Sequence, residues 1–266
     1  MNVLSRKSRY LVQRLAQRFL GSVPRISSGP GKGLRFDAGP AAADFVAGDY
    51  EQPVLTAIIA LLREGDVFFD IGANVGYFSV LASRFVGSSG AVYAFEPVPA
   101  NASMVERNAR LNEMANIRVL RVAASMQTGK SELMLARFSG GAILKNAGVP
   151  PDFAGSLSVE TFSIDDLVKF RRIQPPDVVK IDVEGAELQV LHGMIDTLRG
   201  WGPKTIIEVD DASEKRCMEK LSDCREYLQR LGYRVEVLRN SYKDGQWFVR
   251  HLVGIKEGYL PSSWEK

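Results

Sequence analysis

Two acidic residues stand where strand-like runs end. Val67-Phe68-Phe69 leads into Asp70, followed by Gly72-Ala73-Asn74-Val75-Gly76 and an apolar helix opening at Tyr77; Ala91-Val92-Tyr93-Ala94-Phe95 leads into Glu96-Pro97. A β-favouring run, a tight glycine turn and a helix start make a corner where backbone can approach a ligand closely. The residue types restrict that ligand. The corner has neither the Gly-x-Gly-x-x-Gly of a dinucleotide site nor the Gly-Lys-Ser/Thr ending of a P-loop. An ionised Asp70 would repel phosphate and suit an ammonium group. A carboxylate closing the second strand can accept hydrogen bonds from both ribose hydroxyls, each contributing roughly 1.5–3 kcal/mol to a charged acceptor. S-adenosylmethionine, a cationic nucleoside without phosphate, meets both conditions. In the bland alternative, Gly72 and Gly76 form a packing turn and Glu96 is a solvated strand end.

A third acidic turn is Lys180-Ile181-Asp182-Val183-Glu184-Gly185-Ala186-Glu187. Open α/β sheets bind ligands at the carboxyl ends of their strands, so Asp182 is the leading candidate to take a proton from an acceptor hydroxyl. Glu184, Glu187 and Glu208 are expected near it, and Asp182, Glu184 and Glu208 form a candidate oxygen-ligand set for a divalent cation such as magnesium. Metal-free catalysis by one carboxylate of raised pKa, or by a desolvated Lys180, is the other route. Glu184 and Glu187 can equally be acids opposing a helix dipole. His192 and His251 read as structural.

These groups need an alternating α/β frame to hold them. The sequence predicts helices over 53–63, 77–85 and 99–111, strands at 67–70, 91–95 and 117–122, and an excursion over 131–164. That excursion has strands at 132–136 and 157–162, with a mobile Gly/Pro-rich loop over 139–156. A short helix opens at Ile164. The pattern resumes with a strand over 177–181, one helix carrying Leu188, Leu191, Ile195 and Leu198 at helical spacing, a strand over 205–209 and a charged helix over 213–231. Runs at 233–238 and 247–255 flank Lys243-Asp244-Gly245 as a hairpin. The expected fold class is α/β, a Rossmann-like, mostly parallel methyltransferase-type sheet closed by an antiparallel pair.

Composition fits one catalytic domain of 266 residues, with 45% hydrophobic and 24% charged residues. Cys217 and Cys224 suggest neither zinc spacing nor a disulfide framework, so a reducing, cytoplasmic setting is expected. The net charge of +3 conceals an asymmetry. Residues 1–36 carry eight basic residues and no acid, whereas the remaining 230 hold 26 basic and 31 acidic side chains, a balance of −5. Tyr10, Leu11, Leu15, Phe19 and Leu20 form one face of a basic helix that could pack on the core, contact a membrane surface peripherally or act as a transit peptide. The expected organisation is residues 1–40 as basic helix and linker and 41–266 as the catalytic domain, with 131–164 inserted. The negative main body argues against a nucleic-acid partner.

Asp70-Ile-Gly-Ala-Asn-Val-Gly-Tyr-Phe-Ser, Phe95-Glu96-Pro97, Asn108-Ala-Arg-Leu-Asn112 and Lys180-Ile-Asp-Val-Glu-Gly-Ala-Glu187 together resemble the FkbM-type family of S-adenosylmethionine-dependent methyltransferases. Gly48-Asp49-Tyr50-Glu51 resembles the family's lead-in, and the likeness runs from about residue 45 to 210. It implies O-methylation of a sugar, polyketide or lipid-type small molecule or glycan. The expected cofactor contacts are Glu51, Asp70, Gly72, Ala73, Asn74, Gly76, Tyr77, Glu96, Pro97, Ala124 and Asp182, and the catalytic candidates are Asp182, Lys180 and Glu208. Phe162-Ser163-Ile164-Asp165 departs from the simpler Thr-Leu-Asp. The first 40 residues and 139–156 lie outside the likeness, and acceptor choice is expected there. An N-methyltransferase would show Asn/Asp-Pro-Pro-Tyr/Phe where this chain has Asp182-Val-Glu-Gly. A non-catalytic cofactor-binding module would keep Asp70 and Glu96 while tolerating loss of Asp182, and an NAD-linked oxidoreductase would lack the acid at residue 70.

Overall fold

The structure, a computed structural model, describes residues 23–39, 45–137, 142–150, 152–242 and 247–256. The basic helix expected within residues 1–22 and the Lys243-Asp244-Gly245 turn lie outside the described residues, as does part of the 139–156 loop.

Seven strands form the main sheet. In chain order they are β1 (Val67–Ile71), β2 (Ala91–Phe95), β3 (Ile117–Leu120), β8 (Val178–Ile181), β9 (Lys204–Asp211), β10 (Tyr233–Val237) and β11 (Phe248–Lys256), arranged β10-β11-β9-β8-β1-β2-β3. The pairs from β3 to β9 are parallel, and β11 runs antiparallel to both β9 and β10. The doubly wound sheet with an antiparallel closure thus forms as expected. Helix α1 (Gln52–Leu61) leads into β1; α2 (Tyr77–Val86) and α3 (Pro99–Leu111) follow β1 and β2; α7 (Glu214–Arg230) precedes β10. Cys217 and Cys224 are buried free thiols on α7. No helix among the described residues is long and apolar enough to cross a membrane.

Strand periodicity explains both faces. Phe69, Ile71, Tyr93, Phe95, Val179, Ile181, Ile207 and Val209 pack beneath the helices that follow β8 and β9. On the opposite face Phe68, Val92, Val178, Ile206 and Val253 pack with α1 and α2, and with Ile26, Phe36 and Ala38 of the segment before α1. That segment, grouped with the basic linker on sequence grounds, is tied in through Asn108. Its Oδ1 accepts from Asp37 N at 2.8 Å, and its Nδ2 donates to Asp37 O at 2.8 Å and Val75 O at 2.9 Å.

Two details differ from the sequence reading. The stretch after β8 is two helices, α5 (Glu187–His192) and α6 (Ile195–Gly200), rather than one. The break falls at Gly193, where a Cβ would lie 2.0 Å from Ser125 O, so the backbones meet too closely for a side chain. The excursion is a four-stranded sheet ordered β4-β7-β5-β6, made of β4 (Ala123–Ala124), β5 (Gly129–Ala136), β6 (Ala142–Leu144) and β7 (Phe153–Phe162). Strand β6 and the start of β7 occupy much of the span read as loop. The short helix α4 (Ile164–Lys169) closes it, capped by Ser163.

Candidate active site

The site follows from continuing the α1-side face toward the carboxyl ends of the strands. Ala94, Asp70, Lys180, Ile206 and Val253 occupy one register row across five strands. Two residues further along lie Glu96, Gly72, Asp182, Glu208 and His251, and beyond them the register partners Asp210 and Val249. A face that begins apolar therefore ends acidic. Beside it opens a cavity of about 800 Å³, lined among others by Gly72, Asn74, Glu96, Pro97, Ala124, Asp182, Glu184, Glu208 and Asp210.

Its first wall is the glycine corner. Gly72 has φ +83°, and a Cβ there would lie 1.7 Å from Asp182 O, so the β1 and β8 turns touch through bare backbone. Glu96 holds this wall together: Oε2 accepts from Asn74 N and Oε1 from Val98 N, each at 2.8 Å. Burial raises its pKa to about 7, against the lowering effect of those two amides. Two bonds leave carboxylate lone pairs facing the cavity. Phe95, Val122 and Ala123 add an apolar strip, with Asn101 at its rim.

Asp70 does not line this wall. It is 1% exposed beneath the corner, its Oδ2 accepting from Ser79 Oγ at 2.5 Å and its Oδ1 without a partner. Ala73, Gly76, Tyr77 and Glu51 also stand behind the lining; Tyr77 packs edge-on against Phe36 and Tyr50. Of the expected cofactor residues, the corner and strand ends thus bring Gly72, Asn74, Glu96, Pro97, Ala124 and Asp182 to the cavity. A strand-end acid one position before a turn points along its strand face and is covered by α2, which is why Asp70 sits below.

The second wall is electrostatic. Lys180 is 2% exposed, and its Nζ lies 2.8 Å from Asp182 Oδ2 and 4.9 Å over the Phe78 ring. Burial alone would lower its pKa, but Asp182, Asp70, Glu51 and Glu208 outweigh it and push it up. Lys180 is therefore a cation held among carboxylates, which leaves no free amine for the base role that desolvation suggested. Burial, then the charges of Asp182 and Glu51, push Glu208 well above the usual carboxylate range. Burial lowers His251 to about 4, so the 2.6 Å contact of Glu208 Oε2 with His251 Nε2 joins a carboxyl to a neutral imidazole.

Glu184 and Asp210 hydrogen-bond to each other, and burial raises both, Glu184 well above its ordinary range. Asp210 Oδ2 also accepts from Trp247 Nε1 at 2.5 Å. Glu187 turns back into its own loop to accept from Gly185 N at 2.6 Å, and does not line the cavity. Tyr242 donates to Glu51 and lies 3.3 Å from the Tyr50 hydroxyl. Glu51 and Glu184 both hold left-handed backbone, φ 42° and 54°, a strain that non-glycine residues keep where structure over-determines them, commonly at functional sites.

The expected metal set of Asp182, Glu184 and Glu208 is not what converges. Asp182 is engaged by Lys180 and Glu184 by Asp210, while the ligand-type atoms that come within 4.8 Å of one another among the described residues belong to Glu51, Glu208 and His251. Within that group Glu208 and His251 are already bonded to each other.

The FkbM methyltransferase domain model matches residues 70–235. The chain belongs to the FkbM methyltransferase family. Hexuronic acid methyltransferase AglP of Haloferax volcanii is 30% identical over 171 residues, which are 64% of this chain and 67% of AglP. The 31-O-demethyl-FK506 methyltransferase FkbM of Streptomyces tacrolimicus is 28% identical over 51% of this chain and 62% of its own length. The 2-O-methyltransferase NoeI of Sinorhizobium fredii is 29% identical over 53% and 63%. The chain thus spans about two thirds or less of these relatives. The crystal structure of an FkbM methyltransferase from Methylobacillus flagellatus shares the fold, with TM-score 0.51 at 19% identity, over 80% of this chain and 53% of the other.

Several site residues of this FkbM-family chain lie outside the 70–235 match: Tyr50 and Glu51 before it, and Tyr242, Trp247 and His251 after it. Sequence reasoning missed Asp210, Tyr242 and Trp247 and set His251 aside. Asp210 was detectable, being two residues beyond Glu208 on one strand. His251 needed the antiparallel register that pairs it with Glu208. Tyr242 and Trp247 flank an irregular connection, where no periodicity signals direction.

Proposed function

We propose that this methyltransferase transfers the methyl group of S-adenosylmethionine to a hydroxyl of a sugar or polyol-type small molecule or glycan, without a metal. The observation carrying this reading is one cavity with Glu96 on one wall and Asp182, ion-paired to Lys180, on the other. The residues fit the cofactor: Glu96 keeps lone pairs for ribose hydroxyls, the Phe95–Pro97 and Val122–Ala124 strip suits adenine, and the bare backbone at Gly72 with the acidic strand ends suits a cationic amino-acid end. When bound, the cofactor supplies an electrophilic methyl group.

The chain's own residues do the rest. Asp182 takes the hydroxyl proton as the acceptor attacks, and Lys180 fixes the Asp182 rotamer through Oδ2, leaving Oδ1 to the acceptor. Positioning contributes up to ~7–11 kcal/mol in favourable cases, and a placed base typically 10²–10⁴-fold. A sugar-type acceptor is favoured by the name of AglP, methyl transfer to oxygen by that of NoeI, and a cytoplasmic setting by the two free thiols.

Calorimetry with S-adenosylmethionine and radiolabelled methyl transfer to a glycoside panel test this. Asp182→Asn is expected to keep cofactor affinity within a few-fold and lower turnover by about 10²-fold or more. Turnover retained in Asp182→Asn overturns the base assignment, and activity abolished by chelator and restored by magnesium overturns the metal-free route.

A further inference from the structure

The row of strand ends that carries the site has an order. Across adjacent strands it runs His251 on β11, Glu208 on β9, Asp182 after β8, Gly72 after β1 and Glu96 after β2. On the methyl-transfer reading above, on which this inference rests, the cofactor lies over the Gly72 and Glu96 end and the attacking hydroxyl meets Asp182. Glu208 is the next cavity-lining side chain in the row, one strand further from the methyl group, and neighbouring strands stand about 4.8 Å apart.

Asp182 and Glu208 are anchored alike. Lys180 Nζ holds Asp182 Oδ2 at 2.8 Å, and His251 Nε2 holds Glu208 Oε2 at 2.6 Å; Lys180 is 2% and His251 1% exposed. Each carboxyl thus has one oxygen fixed from behind and the other, Asp182 Oδ1 or Glu208 Oε1, left to the cavity that both residues line. Glu208 Oε1 accepts a hydrogen bond whichever of Glu208 and His251 holds the proton between them, so its role does not depend on the charge of the wall. Glu184 and Asp210 are bonded to each other, and Asp210 also to Trp247.

We propose that Glu208 is a specificity-determining residue that receives the hydroxyl adjacent to the one methylated, with His251 as its positioning residue, so that the acceptor is a vicinal diol. The hydroxyl at Asp182 gives that residue its proton and gains the methyl group as the cofactor's S–C bond breaks. Its neighbour donates to Glu208 Oε1 and keeps its own proton. An acceptor lacking that neighbour leaves a part-buried carboxyl oxygen unpaired, which lowers kcat/KM by about tenfold or more.

The test uses full-length protein whose S-adenosylmethionine binding is verified by calorimetry. Methyl glucoside, mannoside and galactoside are each compared with their monodeoxy counterparts, and the methylated position is read by NMR. In the wild type, removing the hydroxyl next to the methylated position is expected to lower kcat/KM at least about tenfold. Glu208→Ala should bring each such pair to within about threefold, whereas Glu208→Gln, which keeps an acceptor oxygen, should preserve the gap. His251→Gln, whose amide can still donate to Glu208, should preserve it too, and His251→Leu should narrow it. The wild-type comparison decides on its own should Glu208→Ala not fold. Vicinal and deoxy acceptors turned over alike by the wild type would overturn the inference and leave the methyl-transfer reading standing. A gap that survives Glu208→Ala would also overturn it. Cofactor binding with no glycoside methylated would sink the hydroxyl-acceptor reading together with this one.

Discussion

Replacing Glu96 with glutamine asks whether this carboxylate senses pH on behalf of the cofactor. Burial sets its pKa at about 7 in the free protein, opposed by the Val98 and Asn74 amides and an Asn101 contact, and raised further by Asp70. The ionised form is the stronger acceptor for ribose hydroxyls, so affinity should climb as pH rises through 7 and then level off. About 90% of the groups are ionised at pH 8 and about 10% at pH 6. If the ionised form does the binding, S-adenosylmethionine affinity falls about tenfold over that interval, or ~1.4 kcal/mol. Calorimetry at pH 6, 7 and 8, repeated in buffers of different ionisation enthalpy, should also reveal close to one proton released per cofactor bound at pH 6. Glu96→Gln should bind more weakly at pH 8 and lose both the slope and the proton release. An identical slope in the glutamine variant, or tighter wild-type binding on acidification, would refute the reasoning.

Glu187, 2% exposed, is raised to about 7 by burial. Its folded pKa lies above the ordinary 4.5, so its contribution to stability is complete below 4.5 and is lost as pH rises through 7. Glu187→Gln keeps an acceptor for Gly185 N, and should leave stability unchanged at pH 4.5 but raise it by up to ~3 kcal/mol at pH 8; denaturation curves that stay parallel at both pH values contradict this. Gly72→Ala places a methyl group against Asp182 O in a left-handed backbone, so a loss of at least ~2 kcal/mol and a Tm lowered by about 4–8 °C are expected. An unchanged melting curve would show that the two turns do not meet as described.

The sheet was legible because its signals are local. Apolar runs at 67–69, 91–95 and 178–179, proline at the start of α3 and glycine turns after β1 each specify an element without reference to the rest. Helix α3 has the bounds its sequence predicts, Pro99–Leu111. What escaped depends on contacts between distant segments. Leu188 to Leu198 has one helical period, yet Gly193 breaks it because Ser125 backbone packs there. Asp70 carries the expected charge at the expected strand end, but only the packing of α2 and Ser79 over it decides that it supports the corner from below. Lys180 looks like a candidate free amine until four carboxylates from four separate segments surround it.

Strand β11 slots between β9 and β10, bringing His251 to Glu208. During synthesis every site residue outside β11 emerges before it, and until residues 248–256 follow, β9 presents an open edge with a row of unpaired amides and carbonyls. The nascent protein therefore holds the corner and Glu96 wall well before it owns a finished acidic wall. Cofactor capture can precede catalytic competence by the time needed to add the nine residues of β11, about 0.5–2 s at roughly 5–20 residues per second. Chains stalled within that interval would be the ones most exposed to pairing with one another.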